Sequence, residues 1–161
     1  MGTRGIRVGQ GFDVHRLEEG RALVLGGVTI PFERGLAGHS DADVLIHAIM
    51  DALLGAAGLG DIGRLFPDTD PQYKGISSLL LLEQVRTHLG ERGALILNVD
   101  ATLLAQRPRI APHVSEMIAR LAAALQLAPD RLSLKATTTE GLGFVGREEG
   151  IAAQAVALIE I

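Results

Sequence analysis

The sequence contains no cysteine and no tryptophan, and aromatic residues make up only 3% of its 161 residues. Without cysteine the chain forms no disulfide, and any zinc ion must be held by histidine or carboxylate side chains. The hydrophobic fraction is nevertheless 47%, so we expect a core of leucine, isoleucine, valine and alanine. The length fits one domain, and we expect residues 1–161 to form a single domain.

Long apolar runs and basic runs are also missing. A transmembrane helix needs about 20 consecutive apolar residues, and no run in the sequence approaches this length. The start "MGTRGIRVGQG" lacks the apolar core of a signal peptide. We therefore expect a cytoplasmic protein without a membrane partner. The formal net charge is −4, and no lysine–arginine cluster is interleaved with aromatics, so nucleic acid is not an expected partner. An anionic substrate would have to be held by metals, backbone amides and a few basic residues.

Hydrophobic periodicity predicts strands alternating with helices. The predicted strands cover 6–17, 94–106, 131–139 and 151–161, with a hairpin over 21–32, and the predicted helices cover 40–57, 77–92 and 112–127. In the strand over 94–106 one side is expected to carry Leu95, Leu97, Val99, Ala101 and Leu103. This order favours an α/β (α+β) sandwich, with one mixed sheet and helices packed on one of its faces. The other face is aliphatic and rich in alanine, and we expect it to pack on other subunits.

The helix predicted over 40–57 is apolar almost all round, yet Asp43, His47 and Asp51 recur on it at intervals of four residues. Ser40 or Asp41 is expected to cap this helix, and Gly58 to end it. Buried polar groups cost about 1–3 kcal/mol each unless they are paired. One interpretation is a helix start with favourable acids and one hydrogen-bonded core histidine; the other is a functional row of side chains.

The functional interpretation joins this row to "GFDVHRL", where Asp13 and His15 lie two residues apart in a predicted strand. Side chains at positions i and i+2 of a strand point to the same face. Together with His47 they offer one carboxylate and two imidazoles, the donors of an open zinc site with a position left for water or substrate. Asp51 is expected to orient a ligand imidazole from behind, and Asp43 is assigned a similar supporting position. Taken alone, the Asp13–His15 spacing is a weak signal, because many such pairs are simple surface residues.

The segment "KATTTEGLGFVGRE" (135–148) combines hydroxyls, glycines and a carboxylate. Hydroxyls and backbone amides can hold phosphate oxygens, and Glu140 can bind a hard cation such as Mg²⁺ or Mn²⁺. An ordinary β-turn is the alternative. "AQRPR" (105–109) forms a basic corner after a strand, and the loop "GDIGRLFPDTD" (60–70) contains acids that serve either in turns or in hydroxyl recognition.

Three stretches carry a resemblance to a known family: "GQGFDVHRL", "HSDADVLIHAIMDALLGAAGLGDIGRLFPDTD" and "KATTTEGLGFVGREEGI". From about Arg7 to Ile159 the chain resembles the 2-C-methyl-D-erythritol 2,4-cyclodiphosphate synthases of non-mevalonate isoprenoid synthesis. The resemblance implies a homotrimer whose sheets pack around a threefold axis, with active sites at the subunit interfaces. It also implies a phosphorus–oxygen lyase that cyclises 4-diphosphocytidyl-2-C-methyl-D-erythritol 2-phosphate and releases CMP.

The resemblance further implies a role for each matching residue. Zinc or another divalent cation would be held by Asp13, His15 and His47, and Mg²⁺ or Mn²⁺ by Glu140 together with the substrate phosphates. His39 and Thr138 are the expected catalytic residues. The expected substrate-binding residues are Asp13, His15, His39, Ser40, Asp61, Ile62, Gly63, Asp68, Ala105, Gln106, Arg107, Pro108, Arg109, Thr137, Thr138, Thr139, Glu140, Phe144 and Arg147. Arg147 would also face a cavity on the trimer axis, where some relatives hold an isoprenoid diphosphate.

Two other functions fit the same residues. In a zinc phosphohydrolase, metal-bound water would attack the phosphate and give an open-chain product. In a trimeric binding protein the zinc would be structural, but structural zinc sites normally have four protein ligands, and the sequence offers three.

Overall fold

The structure is a computed structural model that describes residues 4–161. A five-stranded mixed sheet runs in the order β4-β1-β7-β5-β6, and only β5 and β6 are parallel to each other. A separate two-stranded hairpin consists of β2 and β3. The strands are β1 (Ile6–Glu19), β2 (Leu23–Leu25), β3 (Val28–Ile30), β4 (Arg34–Leu36), β5 (Leu95–Leu104), β6 (Leu132–Thr137) and β7 (Gly150–Glu160).

The helices are α1 (Val44–Ala56), α2 (Ile62–Leu65), α3 (Ser78–Glu91), α4 (Val114–Leu125) and α5 (Gly143–Gly146). Helix α1 packs against β1 and β7, and α3 and α4 pack on each other beside it. The predicted mixed sheet with helices on one face is therefore confirmed. The sequence did not predict β4, α2 or α5, each of which has only three or four residues.

Helix α1 begins later than predicted. Its N-cap is Asp43, whose side chain accepts a hydrogen bond from the amide of Ile46. The two residues named as caps, Ser40 and Asp41, lie in the preceding turn, because Ala42 has a left-handed backbone with φ of 56°. The same Asp43 carboxylate accepts hydrogen bonds from the amides of Gly26 and Gly27. It therefore fixes the β2–β3 turn to the start of the central helix.

Helix α1 crosses β1 at very short range. A methyl group at Gly11 would lie 1.9 Å from the carbonyl oxygen of Ala48, and one at Gly9 would lie 1.9 Å from that of Ala52. Only glycine permits this approach of two backbones. The "GQG" of β1 thus sets the separation between the strand and the helix.

The predicted alternation of β5 holds only in its second half. Val99, Ala101 and Leu103 are buried, whereas Leu95 is 49% exposed. A bulge between Ile96 and Asn98 shifts the register. The bulge turns Leu95 away from the core, so the prediction for this residue is wrong.

The sheet face opposite α1 carries exposed apolar side chains. They include Ile6, Val8, Phe12 and Val14 on β1 and Val156 on β7, each between 44% and 66% exposed. On the other face of the same strands, Gly9, Gly11, Ala155 and Ala157 are buried. Packing of this face on other subunits stays a prediction.

Helices of the described residues are all too short or too polar to cross a lipid bilayer. The cytoplasmic location stays a prediction.

Candidate active site

Asp13, His15 and His47 converge on one point. In β1 the side chains of Asp13 and His15 point towards α1, and His47 lies one turn into that helix. Asp13 Oδ2 lies 2.9 Å from His15 Nε2 and 3.1 Å from His47 Nδ1, and these two nitrogens are 3.1 Å apart. Ligands of a tetrahedral zinc ion with bonds of about 2.0–2.1 Å are about 3.3–3.4 Å apart. A slight expansion of this triangle would therefore accommodate the ion, and the three residues form a possible metal-binding group.

Both imidazoles are hydrogen-bonded through the ring nitrogen that points away from the triangle. His15 Nδ1 donates to the carbonyl oxygen of Ala37 over 2.6 Å, which leaves Nε2 to face the other two ligands. His47 Nε2 lies 3.2 Å from Ser40 Oγ and 3.1 Å from Ser78 Oγ, which leaves Nδ1 towards the triangle. Such partners fix the ring orientation of metal-ligating histidines.

The electrostatics of the triangle favour an anionic carboxylate. Burial by itself would raise the pKa of Asp13, but hydrogen bonds to His15 and His47 outweigh it and lower the pKa to about 2. Burial by itself would lower the pKa of His15, but the hydrogen bond and charge of Asp13 outweigh it and raise the pKa above its usual value. The site therefore stabilises positive charge beside Asp13, as a cation-binding site must.

The two supporting aspartates have other partners than expected. Asp51 accepts a hydrogen bond from the amide of Ile62 over 2.8 Å. Asp43 caps α1 and holds the β2–β3 turn, and burial raises its pKa to about 6. The expectation that Asp51 orients an imidazole is corrected: its carboxylate anchors α2, whose residues line the site.

The triangle opens into a cavity of about 420 Å³, which we call the metal cavity. The predicted residues His39, Ser40, Ile62, Gly63 and Asp68 line it together with the ligands. Its apolar wall was not predicted and consists of Met50, Phe66, Pro67, Tyr73 and Leu81. Asp61 caps α2 by accepting from the amide of Arg64. One cavity thus combines the candidate cation site with both polar and apolar walls.

A second cavity, of about 540 Å³, lies at the ends of β5 and β6. Residues 105–109 line it with Thr137 and Thr138, so the two segments predicted for the nucleotide do meet. Within residues 4–161 it has no lining residue in common with the metal cavity.

Comparisons with known proteins show which family the chain belongs to. The model of the YgbB family matches residues 6–160. The chain belongs to the YgbB family. A relative from Pelotomaculum thermopropionicum named 2-C-methyl-D-erythritol 2,4-cyclodiphosphate synthase is 62% identical over 154 residues, which cover 96% of this chain and 95% of the relative.

Two solved structures extend the comparison within the YgbB family. A 2C-methyl-D-erythritol-2,4-cyclodiphosphate synthase in its CDP-bound form has a TM-score of 0.87 and 43% identity, covering 95% of this chain and 99% of that one. The CDP complex of IspF from Plasmodium falciparum has a TM-score of 0.85 and 34% identity, covering 98% and 97%. The family match over residues 6–160 includes every residue that lines the two cavities.

The remaining predicted residues lie in the loop between β6 and β7. Glu140 has a left-handed backbone with φ of 57°, and its amide donates to Thr138 Oγ1. Thr139 Oγ1 donates to the carbonyl oxygen of Leu142, and Arg147 pairs with Glu149 over 3.0 Å. Phe144 is 39% exposed. None of these four lines the metal cavity of the same chain.

Three charged residues that the sequence analysis did not single out, Glu33, Arg34 and Glu148, surround Arg107 at the second cavity. Arg107 contacts Glu148 over 2.8 Å and Glu33 over 3.1 Å, and Arg34 contacts Glu148 over 2.6 Å. The guanidinium carbons of both arginines lie about 5.4–5.5 Å from the ring centre of Phe32. These partners are up to 114 residues apart in sequence, and no local pattern signals them. They orient Arg107 along the wall of the second cavity.

Proposed function

We propose that this chain is a 2-C-methyl-D-erythritol 2,4-cyclodiphosphate synthase. The observation that carries the proposal is the triangle of Asp13, His15 and His47, open to a cavity lined by His39 and Ser40, in a chain that matches its family over 6–160. As such an enzyme it acts in non-mevalonate isoprenoid precursor synthesis.

In the proposed reaction an oxygen of the substrate's 2-phosphate attacks the β-phosphorus of the diphosphate. The bond from that phosphorus to the bridging oxygen breaks, CMP leaves with the bridging oxygen, and a cyclic diphosphate forms. This cleavage of a phosphorus–oxygen bond with ring closure makes the enzyme a phosphorus–oxygen lyase. Nucleophile and electrophile belong to one molecule, so the protein's task is to fold the substrate into an in-line arrangement. Such positioning can lower a barrier by about 7–11 kcal/mol.

Asp13, His15 and His47 would hold a divalent cation, for which zinc is the best match to one carboxylate and two imidazoles. Glu140 would hold Mg²⁺ or Mn²⁺ with the substrate phosphates, since carboxylate oxygen suits these harder ions. Bound there, the cations would withdraw negative charge from the phosphates.

The chain's own side chains would position the substrate. His39 donates its Nε2 proton to the carbonyl oxygen of Asp70 over 3.0 Å, which fixes its ring at the cavity wall. We propose that His39 orients a substrate phosphate there, together with Ser40 and Thr138. We assign the erythritol part to Asp61, Ile62, Gly63 and Asp68. Cytidine and its phosphates are assigned to Ala105, Gln106, Arg107, Pro108, Arg109, Thr137, Thr138, Thr139, Glu140, Phe144 and Arg147.

A homotrimer explains why one chain carries two separate cavities. The active site would join the metal cavity of one subunit to the nucleotide cavity of its neighbour. The exposed apolar face of the sheet, including Val8, Phe12 and Val156, supports burial between subunits around the threefold axis. Arg147 would then face the axial cavity, with an isoprenoid diphosphate as its proposed ligand.

A phosphorus NMR time course tests the proposed function against both alternatives. The protein is mixed with the cytidylylated phosphate substrate, zinc and Mg²⁺. We expect a cyclic diphosphate and an equal amount of CMP. An open-chain diphosphate would instead indicate a zinc phosphohydrolase, and absence of turnover with both metals bound would favour the binding protein.

A further inference from the structure

His47 faces two different environments through its two ring nitrogens. Nδ1 lies 3.1 Å from Asp13 Oδ2, on the side where the cation would bind. Nε2 lies 3.1 Å from Ser78 Oγ at the buried start of α3. A neutral imidazole carries a single proton, and a metal ligates only the nitrogen that lacks it. Metal binding through Nδ1 therefore requires the proton to be on Nε2.

The hydroxyl of Ser78 has a fixed direction. Asp41 accepts hydrogen bonds from Ser78 at both carboxylate oxygens, from the hydroxyl at Oδ1 and from the backbone amide over 3.0 Å at Oδ2. A serine hydroxyl has one proton. Because that proton is given to Asp41, the oxygen of Ser78 can only accept from His47. The resulting chain runs from His47 Nε2–H to Ser78 and from Ser78 to Asp41.

The other hydroxyl near His47 does not impose this direction. Ser40 Oγ lies 3.2 Å from His47 Nε2 and accepts a hydrogen bond from the amide of Ala42. Among the described hydrogen bonds its own proton has no other acceptor than His47, so Ser40 can either donate to Nε2 or accept from it. Ser78, by contrast, is completely buried, so water does not replace it.

We propose that Ser78, oriented by Asp41, is a positioning residue that keeps the proton of His47 on Nε2 and so raises the metal affinity of the triangle. The inference rests on the proposed metal site. It gives the hydrogen-bonded series from His47 through Ser78 to Asp41 a role separate from capping of α3. The cap itself needs only the backbone amide of Ser78, which donates to Asp41 Oδ2. Hydrogen-bond partners behind metal ligands typically change metal affinity by about 10–100-fold.

The test compares Ser78→Ala with Ser77→Ala, the matched control, since the side chain of Ser77 makes no capping hydrogen bond. Zinc affinity is measured by competition with a chromophoric chelator. We expect Ser78→Ala to weaken zinc binding about 10–100-fold and Ser77→Ala to leave it within about twofold of wild type. Nitrogen NMR of the metal-free proteins reports the tautomer of His47. Wild type should carry the proton on Nε2, and Ser78→Ala should move it towards Nδ1, where Asp13 accepts it.

Each result decides the matter. Equal zinc affinity and the same tautomer in Ser78→Ala and Ser77→Ala would overturn the inference while leaving the proposed function intact. A Ser78→Ala protein that loses helix content along with zinc would show a capping role, which also contradicts the inference. If wild type binds no zinc, the metal site itself is wrong and the inference falls with it.

Discussion

Gly11→Ala is expected to separate the two halves of the metal site. The new methyl group would lie 1.9 Å from Ala48 O and 2.8 Å from Ala52 N, both of them backbone atoms that cannot rotate away. Ordinary contact begins at 3.4 Å, so α1 must move from β1 by roughly the difference, about 1.5 Å. Overpacking of this kind typically costs about 1–3 kcal/mol of unfolding free energy.

The move also affects ligand geometry, because Ala48 follows His47 directly in α1. Asp13 and His15 lie two and four residues beyond Gly11 on the same face of β1. A displaced His47 Nδ1 no longer closes the triangle of about 3 Å edges. We therefore expect zinc affinity to fall together with stability.

The assay is urea unfolding of wild type and variant at one protein concentration, with zinc affinity measured in parallel. At a slope of about 1–3 kcal/mol per molar urea, the midpoint should fall by roughly 1 M. Gly55→Ala is the control, because its methyl group would be 4.0 Å from Gln10 O and meets no clash. It should not lower the stability, since alanine in a helix is favoured over glycine by about 1 kcal/mol. Unchanged stability and zinc affinity in Gly11→Ala would refute the packing of α1 on β1.

Three further predictions concern the metal ligands and the open sheet face. His47→Ala should lose zinc and turnover while the oligomer persists, whereas the control His88→Ala should keep zinc and turnover. Full zinc occupancy in His47→Ala, measured by atomic absorption, would show that His47 is not a zinc ligand. Because the pKa of His15 is raised above its usual value of 6.5, protons compete with metal below this raised pKa, and zinc affinity should fall as the pH drops through it. Zinc affinity that stays flat from pH 8 to 5.5 would contradict this. Val8→Glu should dissociate the proposed trimer in analytical ultracentrifugation, whereas substitution of an exposed leucine on α3, Leu80→Glu, should not. A trimer that persists in Val8→Glu would place the interface elsewhere.

The metal triangle could be predicted because its signals are periodic. Asp13 and His15 share a face through the two-residue repeat of a strand, and His47 belongs to a polar row on an apolar helix. The sequence contains Gly9 and Gly11 as well, and they permit the approach that joins the two elements. Local rules therefore predicted both the three residues that the structure brings together and the elements that present them.

The groups behind the ligands were not predictable in this way. Ser78 reaches His47 from another helix 31 residues along the chain, so no spacing links them. Asp51 has the spacing of an imidazole partner, but its carboxylate accepts from the amide of Ile62, the first residue of α2, instead. The left-handed backbone of Ala42 likewise delays the start of α1 in a way that helix propensity does not indicate. These features depend on how loops and neighbouring helices pack, which local patterns do not contain.

The central claim is that Asp13, His15 and His47 form a metal centre open to substrate. Crystals grown with zinc and measured on both sides of the zinc absorption edge test it most directly. We predict one strong anomalous peak per subunit, bonded to Asp13 Oδ2, His15 Nε2 and His47 Nδ1, with a fourth position facing the cavity. A zinc peak elsewhere, or four protein ligands around the ion, would contradict the account.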